Sequence, residues 1–219
     1  MSTNTTLTID IVSDVVCPWC YIGYQRLKQA LDSYQDKVNY TLRWHPFELN
    51  PGMPADGQLL SEHLAQKYQI TPEESEENRA RIIALGEACG IRFHFTPLSR
   101  IYNTFKAHQL LHWSATYGRQ TELKLALFEA YFTEQENPNA LDVLLEAVDK
   151  AGLDRDEAEL VLKNNQFAEA VRSEEQTWVE QGVSAVPAFV FNEKYLVSGA
   201  QETGTFRQII DTLLSEAAE

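Results

Sequence analysis

Two cysteines separated by two residues are the side chains of this chain best suited to chemistry. The stretch "VVCPWCYIG" carries Cys17, Pro18, Trp19 and Cys20 within one turn. Residues three apart on a helix share a face, so both thiols can reach the ~5.5–6 Å Cα separation of a disulfide. Pro18 suits the first helical position, which places Cys17 at a helix N-terminus, where free N–H groups favour a thiolate. Cys17 is therefore the predicted nucleophile and Cys20 the resolving thiol.

A CxxC pair also occurs in zinc sites and among buried thiols, which are the alternatives to redox chemistry. Zinc would need two more ligands, and His108 and His112, at i and i+4 of one helix face, are the attractive pair. A strand before the cysteines and a helix after them favour redox chemistry instead, and we expect no metal. The third thiol, Cys89, lies in "IIALGEACGIRF", where we expect a passive buried residue.

Two carboxylates are candidates for handling protons near the sulfurs. Asp14 and Glu48 each stand at the end of a strand that is expected to flank the cysteine turn. Local hydrogen bonding is the alternative role, because Asp before a turn and Glu before Asn-Pro commonly serve the backbone.

The elements that position the cysteines follow from hydrophobic spacing. Residues 7–12, "LTIDIV", alternate as a strand that runs into the cysteine turn, and residues 20–34 repeat apolar side chains at three- and four-residue spacing. Residues 38–44 alternate again and end near "HPFELNPGMP". The opening is thus a βαβ unit, which favours parallel strands and a right-handed crossover.

The middle of the chain lacks strand signals. Residues 57–165 show helical periodicity throughout, with a capping box at Thr71-Pro72-Glu73-Glu74. A further helix follows, then "AFVF" and "YLVS" as a hairpin, and a closing helix. We predict an α/β thioredoxin fold formed by residues 1–56 and 166–219, interrupted by a large all-helical insertion at 57–165.

Composition limits the function classes. The 219 residues carry 32 acidic and 18 basic side chains, a net charge of −14, without a Lys or Arg cluster that could neutralise a phosphate backbone. This argues against nucleic acid and anionic membrane as partners. Three cysteines are too few for a disulfide scaffold in a chain of this length. "MSTNTTLTIDIVSDVV" has neither a basic start nor a long apolar run, so we expect a cytoplasmic protein.

Several motifs together resemble the DsbA-like thioredoxin-fold oxidoreductases, in particular the FrnE-type subgroup. They are "CPWC" after a strand, "FELNP", "NTFKAHQL" and "GVSAVPAFVFNEKYLVSGAQ", which occur in family order over nearly the whole chain. A second, C-terminal cysteine pair found in some FrnE-type members is absent, because Cys89 is the only other thiol. A single redox centre is the simpler interpretation.

The resemblance implies that the cysteine turn faces a loop with a cis proline, here Val186-Pro187. The Val186 backbone would then lie beside the sulfurs and pair with an extended substrate segment as an added strand. Asn103 and His108 are candidates to bind substrate in a cleft between the insertion and the core, with an ordinary place on a helix surface as their alternative.

The function expected from these features is thiol–disulfide exchange on protein or peptide substrates, with the redox-active disulfide in place of a bound cofactor. The alternative is a glutathione-dependent isomerase or transferase of the kappa-class or hydroxychromene-carboxylate-isomerase type, which shares the architecture. Those relatives usually carry serine where this chain has Cys17. Glutathione is compatible with the site as a co-substrate, and a homodimer is compatible with the sequence. A third functional hypothesis is a binding module or chaperone with a vestigial CxxC.

Overall fold

The structure is a computed structural model that describes residues 5–217. In chain order its strands and helices are β1 (Thr5–Ser13), α1 (Pro18–Asp32), β2 (Val38–Pro46), β3 (Gln58–Leu59), α2 (Leu60–Tyr68), α3 (Pro72–Ala88), β4 (Arg100–Ile101), α4 (Phe105–Ala115), α5 (Gln120–Phe132), α6 (Leu141–Lys150), α7 (Arg155–Lys163), α8 (Ala168–Glu180), β5 (Ala188–Phe191), β6 (Tyr195–Ser198) and α9 (Thr203–Glu216).

A mixed four-stranded sheet in the order β2-β1-β5-β6 leads into the cysteine turn, which follows β1. β1 runs parallel to β2 and antiparallel to β5, which pairs with β6 as a hairpin. Ile11 and Val12 of β1, which point to opposite faces of the sheet, are both fully buried, because a central strand is covered on both faces. The predicted βαβ unit and hairpin are confirmed, and the fold is the thioredoxin-like α/β class.

The insertion departs from the expectation in one detail, because it is not purely helical. β3 and β4 form a two-residue antiparallel pair. Gly57, just before β3, has φ of 68°, and a Cβ there would lie 2.3 Å from the Ile101 carbonyl oxygen. Only glycine permits this approach. Strands of two residues are too short for alternation to reveal them. The domain boundaries remain a prediction, and residues 1–4 and 218–219 of the predicted core lie outside the described residues.

Helix α5 joins the insertion to the sheet. Tyr21 of α1 stacks on Phe128 of α5 with ring centroids 4.6 Å apart. At the edge strand β2, the side-chain amide of Gln120 accepts from the Trp44 N–H and donates to the Trp44 carbonyl oxygen, both at 2.8 Å. These bonds occupy an edge position that would otherwise be open to another strand. The face of α5 beyond Gln120 is thereby held against the sheet beneath the cysteine turn.

Between Thr5 and Ala217 no helix is long and apolar enough to cross a membrane.

Candidate active site

The two thiols differ in exposure although they share one helical turn. Cys17 is the N-cap of α1, with Pro18 following as the first helical residue, and the Cys20 N–H donates to the Cys17 carbonyl oxygen at 3.1 Å. Cys20 is fully buried and Cys17 is 4% exposed. Burial raises the pKa of Cys20, and the neighbouring Cys17 raises it further. Only Cys17 of the pair lines the large cavity described below, as its predicted role as nucleophile requires.

The loop before β5 lies against the sulfurs. The Val186–Pro187 peptide bond is cis, the conformation that the family resemblance implies, and the Cys17 thiol donates to the Val186 carbonyl oxygen at 3.7 Å. Gly23 of α1 allows this loop to approach the helix. A Cβ at Gly23 would lie 3.2 Å from the Pro187 ring and 3.1 Å from Phe189, closer than ordinary packing permits.

A cavity of about 830 Å³ lies over Cys17, within the range of small-molecule and peptide-segment sites. Pro18, Trp19 and Val186 line it together with Cys17. Asn103 and His108, which we predicted to bind substrate, are not among its lining residues. The Asn103 amide instead bonds to Glu48 Oε2 and the Pro51 carbonyl oxygen, both at 3.3 Å. His108 is 2% exposed and lies against Asp14, so it is buried and not on a solvent-exposed helix surface.

Buried polar groups lie behind Cys20. Asp14, at the end of β1, accepts the Leu49 N–H through Oδ2 at 2.8 Å, and its Oδ1 is 3.4 Å from His108 Nε2. Within residues 5–217 neither Asp14 Oδ1 nor His108 Nε2 has a properly aligned hydrogen-bond partner. Burial alone would raise the pKa of Asp14, but His108, the Leu49 N–H and Lys124 outweigh it, so the pKa is below its ordinary value. Asp14 thus has the local hydrogen-bonding role, and its role in handling protons stays a prediction.

Lys124 of α5 is a functional candidate that the sequence analysis missed. Its side chain is 1% exposed, and burial lowers its pKa to about 8, although Cys20, Asp14 and Cys17 favour the charged form. In "TELKLALFEAYF", Lys124 precedes the apolar residues Leu127, Phe128 and Tyr131 by three, four and seven positions, so it shares their helix face. A lysine among the apolar residues of a largely apolar helix was the available signal.

Comparison with known proteins identifies the family. Residues 8–211 match the DsbA-like thioredoxin domain. The chain belongs to the DsbA-like thioredoxin family. It is 32% identical to probable DsbA oxidoreductase SCO1869 from Streptomyces coelicolor, with a TM-score of 0.88 over 96% of this chain and 91% of that one. Uncharacterized protein YwbO of Bacillus subtilis (strain 168) is 24% identical over 94% of this chain and 96% of its own length. A 2-hydroxychromene-2-carboxylate isomerase shares the fold, with 17% identity and a TM-score of 0.70 over 96% of this chain and 98% of that one.

The second carboxylate of this DsbA-like chain, Glu48, lines the cavity over Cys17. It forms an ion pair with Arg172 of α8. Burial and the nearby Glu175 raise the pKa of Glu48 above its ordinary value, although His108 and Arg172 oppose this. Glu48 and Asp14 therefore lie in different surroundings, with opposite pKa shifts.

The zinc alternative finds no support in the positions of the histidines. His108 lies against Asp14, whereas His112 Nδ1 lies 3.1 Å from Glu174 Oε2. Over the described part of the chain, no three or more His, Cys, Asp or Glu side chains are grouped to hold a metal ion. Cys89 is the C-cap of α3 and is half-buried, so it is less enclosed than we expected.

Proposed function

We propose that this DsbA-like chain is a thiol–disulfide oxidoreductase of the FrnE type that acts on protein or peptide disulfides. The observation that carries the proposal is the Cys17 thiol, which lines an 830 Å³ cavity and lies 3.7 Å from the Val186 carbonyl oxygen, with the buried Cys20 one turn behind it. An extended substrate segment can pair with the backbone at Val186 and bring its disulfide to Cys17.

In the reducing direction, the Cys17 thiolate attacks one sulfur of the substrate disulfide. That S–S bond breaks, and the departing substrate sulfur takes a proton. Cys20 then loses its proton and attacks the Cys17 sulfur, which breaks the mixed disulfide and releases the second substrate thiol. The substrate disulfide is reduced to two thiols while Cys17 and Cys20 are oxidised to a disulfide, and the reverse sequence oxidises a substrate. No bound cofactor is needed, because the electrons move between sulfurs.

The second step needs a group that accepts the Cys20 proton, since burial raises the pKa of that thiol. The neutral form of Lys124 can take this proton, and its pKa of about 8 makes that form accessible as the pH rises from neutral toward 8. Its ammonium group then stabilises the Cys20 thiolate in a site that excludes water. The ionised Asp14 keeps the site electrically balanced when Lys124 is charged.

The test compares serine variants of the thiols in the reduction of insulin or a model peptide disulfide. Cys17→Ser should abolish the reaction. Cys20→Ser should accumulate a mixed disulfide with substrate, visible as a mass increase, because its resolving partner is gone. Cys89→Ser is the matched control and should behave as the unmodified protein.

The glutathione-dependent isomerase alternative predicts a different result. Cys17→Ser would then retain much of the activity with glutathione and an aromatic substrate, and Cys20→Ser would have little effect. Full disulfide exchange by Cys17→Ser would contradict the oxidoreductase proposal.

A further inference from the structure

The cavity over Cys17 has a charge opposite to that of the whole chain. The protein carries a net charge of −14, yet Lys67, Arg79 and Arg81 line the cavity and Glu48 is its one acidic residue among those described. Glu48 is already paired with Arg172. The positive charges at the cavity are therefore available to an anionic ligand.

None of the three cations is neutralised by a carboxylate within the described chain. Lys67 Nζ donates to the Leu49 carbonyl oxygen at 2.9 Å and to Asn50 Oδ1 at 2.8 Å, both uncharged acceptors. Arg81 lies over the Trp19 ring, 5.3 Å from its centroid. This contact holds a guanidinium group of α3 beside the cysteine turn.

One face of α3 is directed at the cavity. Ser75, Asn78, Arg79 and Ile82 line it, at the three- and four-residue spacing of a single helix face. The glutamates of the same helix are exposed and do not line the cavity; they are Glu73, Glu74, Glu76, Glu77 and Glu87.

A second observation points to a ligand that donates or accepts a hydrogen bond. The Ser75 side chain is in a residue that is 8% exposed, and its hydroxyl has no hydrogen-bond partner anywhere between residues 5 and 217. An unpaired buried hydroxyl is costly. A ligand in the cavity would supply the missing partner.

Much of the remaining lining is apolar. Leu60, Leu64 and Ile70 on and after α2, together with Ile82 of α3, contribute half-buried side chains to the cavity. No large apolar side chain of the two helices is buried in the described structure; the buried residues are His63, Ser75 and Gly86. The half-buried apolar side chains that line the cavity therefore keep exposed surface that an apolar occupant would bury.

We propose, building on the oxidoreductase function above, that the cavity selects substrate segments that carry a large apolar residue and an acidic residue close to the reacting cysteine. The apolar side chain occupies the space between α2, α3 and Trp19. The carboxylate meets Arg79 and Arg81 at the α3 face. A chain segment is the fitting occupant because Ser184, Ala185 and Val186 line the same cavity, where the Val186 carbonyl oxygen lies beside the Cys17 thiol and is available to a substrate backbone.

The experiment uses four disulfide-linked peptides in which the two residues on each side of the cysteine vary together: phenylalanine or serine next to the cysteine, and glutamate or lysine beyond it. We expect kcat/KM to be about tenfold higher for phenylalanine than for serine, from burial of the ring. We expect glutamate to exceed lysine by about fivefold at low salt, with the difference shrinking as salt screens the charges. Equal rates for all four peptides would overturn the proposal.

Variants separate the contribution of the Arg79 charge from that of the Ser75 hydroxyl. Arg79→Glu should reverse the preference for glutamate over lysine, whereas Arg92→Glu, the same change at an exposed site outside the cavity, should leave it intact. Ser75→Ala should raise KM for the preferred peptide without lowering Tm, because the lost hydroxyl has no partner in the free protein. Equal effects of Arg79→Glu and Arg92→Glu would also contradict the proposal.

A neutral small disulfide, hydroxyethyl disulfide, tests the oxidoreductase function separately from the peptide selectivity. If it is reduced but the peptides show no preference, the selectivity proposal fails and the oxidoreductase function stands. If neither it nor any peptide is reduced, the oxidoreductase function itself fails.

Discussion

His108 Nε2 lies 3.4 Å from Asp14 Oδ1 in a place where both side chains are buried. Asp14 directly follows β1 of the sheet, whereas His108 belongs to α4 of the predicted helical insertion. Lys124 reaches the same region from α5 and interacts electrostatically with Asp14 and both thiols. The predicted insertion therefore supplies two of these three buried polar groups, which gives it a part in the proposed chemistry as well as in the cavity.

Replacement of the buried lysine tests this contribution. Lys124→Met keeps most of the aliphatic length but removes the group that can take the Cys20 proton. We expect release of the mixed disulfide to slow by about tenfold or more. The pH dependence near 8, which follows the pKa of about 8 for Lys124, should disappear. The measurement is single-turnover release of a labelled peptide from its mixed disulfide with Cys17 between pH 6 and 10.

The control for that variant is Lys163→Met, an exposed lysine at the end of α7. It should leave both the rate and the pH profile unchanged. A Lys124→Met protein that releases the peptide at the normal rate with the normal profile would remove Lys124 from the mechanism.

The parts of the fold that repeat a local pattern could be predicted from the sequence. The alternation in β1 and β2, the proline at the start of α1 and the Thr71–Glu74 capping box all depend on neighbours in sequence, and the capping box forms as predicted. The buried role of Lys124 and the placement of Arg81 over Trp19 could not be predicted in the same way. They depend on how helices of the insertion pack against the sheet and the turn, which no local pattern encodes.

Gly23 offers a test of the spacing between α1 and the loop that precedes β5. Alanine there would gain up to about 1 kcal/mol of helix propensity. Its Cβ would lie 3.2 Å from the Pro187 ring and 3.3 Å from the Ala200 Cα, so the loop beside Cys17 must shift by a few tenths of an ångström. We expect Gly23→Ala to lower kcat/KM for disulfide reduction by about tenfold. Urea unfolding should show little change in stability, because propensity and crowding oppose each other.

The matched change is Gly204→Ala in α9, where an added Cβ would meet no atom within 4 Å. It should keep full activity and gain slightly in stability. Equal activities of the two variants would show that the spacing at Gly23 does not matter for the reaction.

Cys89 is predicted to be passive in exchange. It is the half-buried C-cap of α3, and its N–H donates to the Gly86 carbonyl oxygen at 2.8 Å, a backbone bond that serine preserves. Cys89→Ser should therefore reduce insulin at the unmodified rate and lower the free energy of unfolding by about 1 kcal/mol or less. Loss of turnover in a variant that remains folded, as judged by circular dichroism, would give Cys89 a role in the redox cycle.

His45 bridges two carboxylates on the side of the sheet covered by α8. Its Nε2 lies 2.6 Å from Asp10 Oδ1 and its Nδ1 lies 2.5 Å from Glu174 Oε1. Burial would lower the pKa of His45, but both carboxylates outweigh it and raise the pKa. Burial would likewise raise the pKa of Glu174, but His112 and His45 lower it to about 2. The cluster is therefore held together by a charged imidazole between two carboxylates.

These shifts set the pH range in which the cluster stabilises the fold. The pKa of Glu174 falls from an ordinary 4.5 to about 2. Its contribution to the free energy of unfolding is therefore complete above pH 4.5 and is lost as the pH falls toward 2. The pKa of His45 is raised above 6.5, so its contribution is complete below 6.5 and is lost as the pH rises through the folded-state value. Both contributions are present together between about pH 5 and 6.

Glu174→Gln should therefore be most destabilising in that interval, by about 2–4 kcal/mol, because it leaves the buried His45 charge with one carboxylate fewer. The difference from the unmodified protein should narrow toward pH 2, where Glu174 is itself protonated, and above the folded-state pKa of His45, where the imidazole is neutral. Urea unfolding at pH 3, 5.5 and 8.5 measures these differences, with Glu169→Gln, an exposed change on the same helix, as the control. A destabilisation by Glu174→Gln that is equal at all three pH values would show that the cluster acts through packing and not through charge.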